Sequence, residues 1–211
     1  MTDGTVQTGA GAGTITDPAH GGIPRTPHTG RVVLLNGTSS SGKSSIAGEL
    51  VGMLDATWFH MPVDAFHAMR NSHPLAEADV QAEIDRTCKG FHRAVAGMAA
   101  AGNNVVVDYP LSRRWRLLDL LDLLEPGRTV LVGVRCALPE LERWEAARGD
   151  RTPGLAAAQY DRVHSYGPHD LDVHTDRADP RACALRIRDF LAAGTPPAAF
   201  ATLRRTLRRT G

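Results

Sequence analysis

Val32-Val33-Leu34-Leu35-Asn36-Gly37-Thr38-Ser39-Ser40-Ser41-Gly42-Lys43-Ser44 joins an apolar run to a glycine-flanked polar turn. From Gly37 onward it fits G-x-x-x-x-G-K-[ST], the phosphate-binding loop. A buried strand stops, the chain wraps around a polyphosphate, and a helix starts with its amides aimed at the anion. Gly37 and Gly42 allow the tight backbone path and bring N–H groups close to the phosphate. Lys43 can reach the β- and γ-phosphates, and the Ser44 hydroxyl can ligate Mg²⁺. Thr38, Ser39, Ser40, Ser41 and Ser45 complete the cradle. A helical run over Ser44–Leu54, with Ile46, Ala47 and Leu50 at helical spacing, supports this reading. A Ser/Gly-rich surface turn has no need of a Lys-Ser pair at a helix start.

Outward from this loop the pattern alternates. Strands are predicted at Arg31–Leu35, Ala56–His60, Val105–Val107, Val130–Val134 and Leu171–His174. Helices are predicted at Asp79–Ala101, Trp115–Leu124, Leu138–Ala147 and Pro180–Ala193, with an Ala-rich stretch at 155–160. Strands alternating with helices imply an α/β fold with a parallel sheet and helices on both faces. In such sheets ligands bind beyond the C-terminal strand ends. The loop, Asp64 and Asp108 all fall there.

Length and composition bound the answer. The 211 residues suit one domain with extensions, and 42% hydrophobic content can fill a core. Residues 1–29, rich in Gly, Thr and Pro, read as a disordered extension, with the folded domain over 30–195. Residues 196–211 read as a basic, weakly amphipathic tail, a solvated helix end rather than a membrane contact. The net charge of +1 argues against a general nucleic-acid binder. No run approaches the ~18 apolar residues of a membrane span, and no secretory leader is expected. Cys88, Cys136 and Cys183 are separated and odd in number, which suits reduced core thiols and a cytoplasmic location. Whether the chain forms a homo-oligomer stays open.

Three constellations carry chemistry. Asp64 follows the second strand, about twenty residues past Lys43. It is a candidate general base for an acceptor hydroxyl or, in the structural alternative, an N-cap for a helix from Ala65. Asp108 ends Val105-Val106-Val107 and is a candidate Mg²⁺ carboxylate, or else an ordinary turn residue before Tyr109-Pro110. Arg148 and Arg151 flank Gly149-Asp150; they suit a lid that clamps a transferring phosphoryl group, or a solvated helix C-terminus. His60 and His67 bracket Asp64 and are candidates for an acceptor pocket, with Trp58, Phe59, Phe66 and Met69 as its apolar wall or as core. His164 and His174 read as structural.

Together these residues resemble the chloramphenicol phosphotransferase family of P-loop kinases. The resemblance runs from about Arg31 to Phe190 and is most specific at Val132-Gly133-Val134-Arg135-Cys136 and Ala147-Arg148-Gly149-Asp150-Arg151. Gly154-Leu155-Ala156, Gln159, Val163-His164, Leu171-Asp172-Val173 and Thr175 extend it. It implies a three-layer α/β/α sandwich with strand order 2-3-1-4-5 and a small lid. It further implies ATP and Mg²⁺ as cofactors and phosphorylation of a hydroxyl on an antibiotic such as chloramphenicol, for resistance or self-protection. By position, Lys43 holds phosphate, Asp64 is the base, and Arg148 and Arg151 are the lid arginines. One departure is Asp108-Tyr109, where the family's prototype has two adjacent acids. A kinase of a nucleoside, sugar or other small metabolite is the alternative acceptor reading. A nucleotide-dependent switch protein is the alternative of another class.

Overall fold

A computed structural model describes residues 29–148 and 154–209. Five strands form one parallel sheet: β1 Val32–Asn36, β2 Trp58–Pro62, β3 Asn104–Asp108, β4 Thr129–Arg135 and β5 Leu171–His174. Their order is β2-β3-β1-β4-β5, as the family resemblance implies. The helices are α1 Lys43–Met53, α2 Val63–Ala68, α3 Glu77–Ala100, α4 Arg114–Leu123, α5 Leu138–Arg148, α6 Leu155–Val163, α7 Pro180–Ala192 and α8 Ala199–Arg209. A 3-10 turn at Pro126–Arg128 leads into β4.

The sheet is covered on both faces, so its strands read as continuous apolar runs rather than alternating ones. The pleat divides them. Val32 and Leu34 enter a layer with α3, α4 and α8, while Val33 and Leu35 enter the opposite layer with α1 and α7. Val105 and Val107 follow the first pair, and Val106 the second.

Register then places the chemistry. Leu35 pairs with Asp108, Asn36 with Gly133, and Pro62 with Asp108. The C-terminal ends of β1, β2 and β3 therefore lie level. The phosphate loop, Asp108 and the start of α2 emerge along one edge, as expected for a parallel sheet.

The C-terminal segment departs from the expected solvated tail. In α8, Ala199, Phe200 and Leu203 are buried and Leu207 packs against the same core. Asp170 Oδ1 accepts hydrogen bonds from the Ala198 and Ala199 amides at 2.7 and 2.9 Å, satisfying two helix-start donors. Arg204 donates to the carbonyls of Leu121 and Leu124, at 2.9 and 3.0 Å, closing the end of α4. The arginine-rich composition concealed an apolar stripe at positions 200, 203 and 207. Among the described residues, no helix is long and apolar enough to cross a membrane.

Candidate active site

The loop between β1 and α1 has the conformation its sequence demands. Ser40 and Gly42 have φ of 60° and 83°. A Cβ on Gly37 would stand 2.5 Å from the Val134 carbonyl oxygen, so only glycine passes there. Thr175, just after β5, donates its hydroxyl to the Ser41 and Arg135 carbonyls, at 3.1 and 3.2 Å, and braces the loop. The buried hydroxyls of Ser39, Ser40 and Ser41 have no hydrogen-bond partner among the described residues. Buried donors without acceptors are uncommon and ask for a ligand. Phosphate oxygens fit them, as does the undecorated start of α1, whose Gly42 N-cap makes no side-chain hydrogen bond.

Lys43 is buried, donates to the Thr38 carbonyl at 2.6 Å, and stands 3.9 Å from Asp108 Oδ1. The Ser44 hydroxyl donates to Asp108 Oδ2 at 2.5 Å. A hydroxyl and a carboxylate in contact beside a phosphate loop form a hard-oxygen pair suited to Mg²⁺. The cleft in front of them is about 400 Å³. It continues past the loop to Asp64, His67, Gln81, Tyr109, Arg113 and Arg116.

Asp64 is not an N-cap. The cap is Pro62 and the helix begins at Val63, which puts Asp64 in the first turn, exposed and facing the cleft. Beside it, burial holds His67 below the usual histidine pKa, with the Asp64 carboxylate opposing that shift. His60 is also held low by burial, against the pull of Asp108, but it does not line the cleft. The expected apolar wall is not built from the aromatic residues around Asp64. Trp58 lies in the core, Phe66 packs against the opposite core layer, and Phe59 and Met69 face outward. The apolar lining comes instead from residues such as Val63, Ile84, Tyr109 and Leu155.

Helices α5 and α6 pack together beside the phosphate loop. Glu145, itself buried, accepts hydrogen bonds from the Gly154 and Ala156 amides at 2.8 and 2.9 Å. It caps α6 from α5, and Cys136, Leu141, Trp144 and Ala156 pack between them. Gln159 Oε1 accepts from the Ser39 amide at 2.8 Å, so α6 rests on the phosphate loop. Arg151 and the side chain of Arg148 lie outside the described residues.

Behind the loop, Asn36 ties three segments together. It donates to the Val163 carbonyl at 2.5 Å, accepts from the Leu111 amide at 2.9 Å, and contacts His169 Nε2 at 3.2 Å. Arg116 and Gln81 in the cleft, Glu145 between α5 and α6 and Asn36 in this clasp were not singled out for these roles from sequence. Arg116 stands three residues after Arg113 at the start of the helix following the Asp108 strand, a spacing that by itself reads as a solvated face.

Comparison with known proteins agrees with this construction. A Mycobacterium tuberculosis H37Rv protein provisionally named an O-phosphotransferase is 27% identical over 199 residues, covering 83% of this chain and 88% of its own. Solved kinases share the fold. The APS kinase of Mycobacterium tuberculosis in complex with AMPPNP and APS has a TM-score of 0.59 at 19% identity, covering 79% of this chain and 99% of its own. The shikimate kinase of Acinetobacter baumannii in complex with shikimate has a TM-score of 0.55 at 12% identity, covering 80% and 96%. Residues 30–192 match the family described as chloramphenicol phosphotransferase-like protein, and the chain belongs to that family.

Proposed function

We propose that this small-molecule kinase transfers the γ-phosphoryl group of ATP, with Mg²⁺, to a hydroxyl of its acceptor. The observation that carries the reading is one cleft lined by Lys43, Ser44, Asp108 and Asp64 together. When bound, ATP–Mg²⁺ supplies the phosphoryl group and neutralises charge on its oxygens. The loop amides and Lys43 hold phosphate oxygens. Ser44 and Asp108 would hold the metal. Asp64 orients the acceptor hydroxyl and takes its proton as the oxygen attacks. Arg148 and Arg151 are proposed as the lid arginines that steady the transferring group. A second cleft of about 550 Å³, on the Ser40–Ser45 side of the loop and lined by Trp144, Thr175 and Arg177, suits the nucleotide base.

The family's description makes a hydroxylated antibiotic, chloramphenicol first, one acceptor class, with resistance or self-protection as the role. A hydroxylated metabolite is the other, favoured by the charged lining at Arg113 and Arg116. Cys88, Cys136 and Cys183 are free and buried, which suits a cytoplasmic enzyme. The test is ADP release with ATP–Mg²⁺ over a panel of acceptors, with mass spectrometry of the product. Asp64→Asn is expected to lower kcat by about 10²–10⁴-fold while AMPPNP–Mg²⁺ still binds. An unchanged kcat removes Asp64 as the base. Hydrolysis indifferent to every acceptor, with nucleotide-dependent capture of a protein partner, would favour a switch.

A further inference from the structure

Arg116 is the one strongly buried arginine among the described residues, at 8% exposure, and it lines the acceptor side of the cleft. A guanidinium offers five N–H donors and cannot shed its charge. Removing it from water is costly unless it is paired. Its partners here are weak. Nη1 reaches the Pro110 carbonyl at 3.4 Å and the Ser112 hydroxyl at 3.3 Å. Nε is buried with no hydrogen-bond partner, and among the described residues no carboxylate lies within ion-pair distance. The group is held in place by rings, with its carbon 5.5 Å from the Tyr109 centroid and 5.8 Å from that of Trp115. Those contacts fix the plane of the guanidinium without neutralising it.

The surroundings deepen the imbalance. Asp119, three residues after Arg116 on α4, is engaged by Arg93 and His92, at 2.7 and 2.5 Å. Arg113 stands at the rim, donating to Gln81 at 2.7 Å, and adds a second cation to the lining. His67 is held toward its neutral form by burial. The cleft therefore presents Arg113, Arg116 and Arg162 beside the carboxylates of Asp64 and Asp108, the latter shared with Lys43 and Ser44.

We infer that the acceptor is an anion: a hydroxylated molecule whose carboxylate or phosphate monoester docks on Arg116 while its hydroxyl meets Asp64. This rests on the kinase reading above and narrows its substrate class. A planar guanidinium with free donors suits a bidentate oxyanion, and ring contacts that fix its orientation lower the ordering cost of binding. A neutral acceptor leaves the buried charge uncompensated.

The experiment uses the full chain with ATP–Mg²⁺ and matched acceptors. Gluconate and shikimate are each compared with their neutral methyl amide or ester, and sugar phosphates with the parent sugars; chloramphenicol is included. ADP release and product mass are read. At least one anion is expected to be phosphorylated with kcat/KM about 100-fold above its neutral partner. The carboxylate and phosphate arms identify which oxyanion is used. Arg116→Met is expected to raise the anion's KM at least 10-fold with a smaller change in kcat, and Arg116→Lys to recover part of the loss. AMPPNP–Mg²⁺ thermal shift checks that both variants are folded. Equal use of charged and neutral partners, an unmoved KM in Arg116→Met, or phosphorylation of neutral acceptors alone overturns the anion subsite and leaves the kinase reading intact. Absence of stimulation by any acceptor, charged or neutral, overturns both.

Discussion

Lys43 is buried, donating to the Thr38 carbonyl at 2.6 Å and standing 3.9 Å from Asp108 Oδ1. The same carboxylate accepts the Ser44 hydroxyl. Asp108 is thus a shared anchor for the phosphate-binding lysine and the proposed metal-binding hydroxyl. Asp108→Asn keeps the shape, removes the charge, and leaves Lys43 with a weaker counter-charge. The expected outcome is a rise of at least about 10-fold in the Mg²⁺ concentration giving half-maximal ADP release, with kcat reduced at saturation. A Mg²⁺ titration reads both. An unchanged half-saturation point would remove Asp108 from the metal site. Much of this was legible from residue types, because the loop motif specifies both chemistry and order. Arg116 was not. An arginine three residues after another reads as a solvated face, since charged side chains are seldom buried. Its burial is against Tyr109 and Trp115, whose rings come together only once α4 packs against α3.

At the scale of elements, the question is what holds the helices where the cleft needs them. Helix α8 closes the layer opposite α1 and α7, and its buried Phe200 and Leu203 lie against the core that carries Tyr109 and Leu117. Phe200→Ala would leave a cavity in that layer and is expected to cost about 3–5 kcal/mol, read as a lowered midpoint in urea unfolding. Arg205→Ala, on the exposed face of the same helix, is expected to stay within about 0.5 kcal/mol. Equal effects would show that α8 is not docked in solution. The central strands β1, β3 and β4 were readable because such strands of a parallel sheet are uniformly apolar, while the part-exposed edge strand β2 starts two residues later than its sequence suggested. Helix α8 was misread because the five Arg and Thr positions between Arg204 and Arg209 outweighed Leu207, and the stripe needs Phe200 to be seen. Helix α5 was readable, and α6 only as an Ala-rich stretch at 155–160, but not their joint. Glu145 reads as one more helix-surface acid until Gly154 and Ala156 fold back to it.

At the scale of the whole molecule, stability and the site meet in the histidines. His164 is pushed down to about 4, chiefly by burial and then by the nearby Arg135 charge. His169 is lowered by burial too, and His60, His67 and His92 share the direction and the cause. Asn36 donates to His169 Nε2, so the neutral ring carries its proton on Nδ1, 3.3 Å from Asp172 Oδ1. His169 is part of the clasp that joins β1, α6 and the segment after β3, and the His164 ring centroid lies 5.3 Å from its own. A folded pKa below the unfolded one means that the unfolded chain takes up the proton first as pH falls. The stability held by neutral His164 is therefore complete above its ordinary value of 6.5 and is lost progressively down to about 4. Asp119, whose folded pKa lies below its ordinary 3.8, loses its contribution only at still lower pH, so the two effects separate. Urea midpoints are expected to be flat from about pH 8 to 7 and to fall between about pH 6.5 and 4. His164→Asn removes one titrating group, so its slope over that window is expected to be shallower, with the other histidines keeping it from vanishing. A wild-type midpoint that stays level across the window would show that these rings protonate within the folded protein, and that the clasp behind the phosphate loop tolerates their charge.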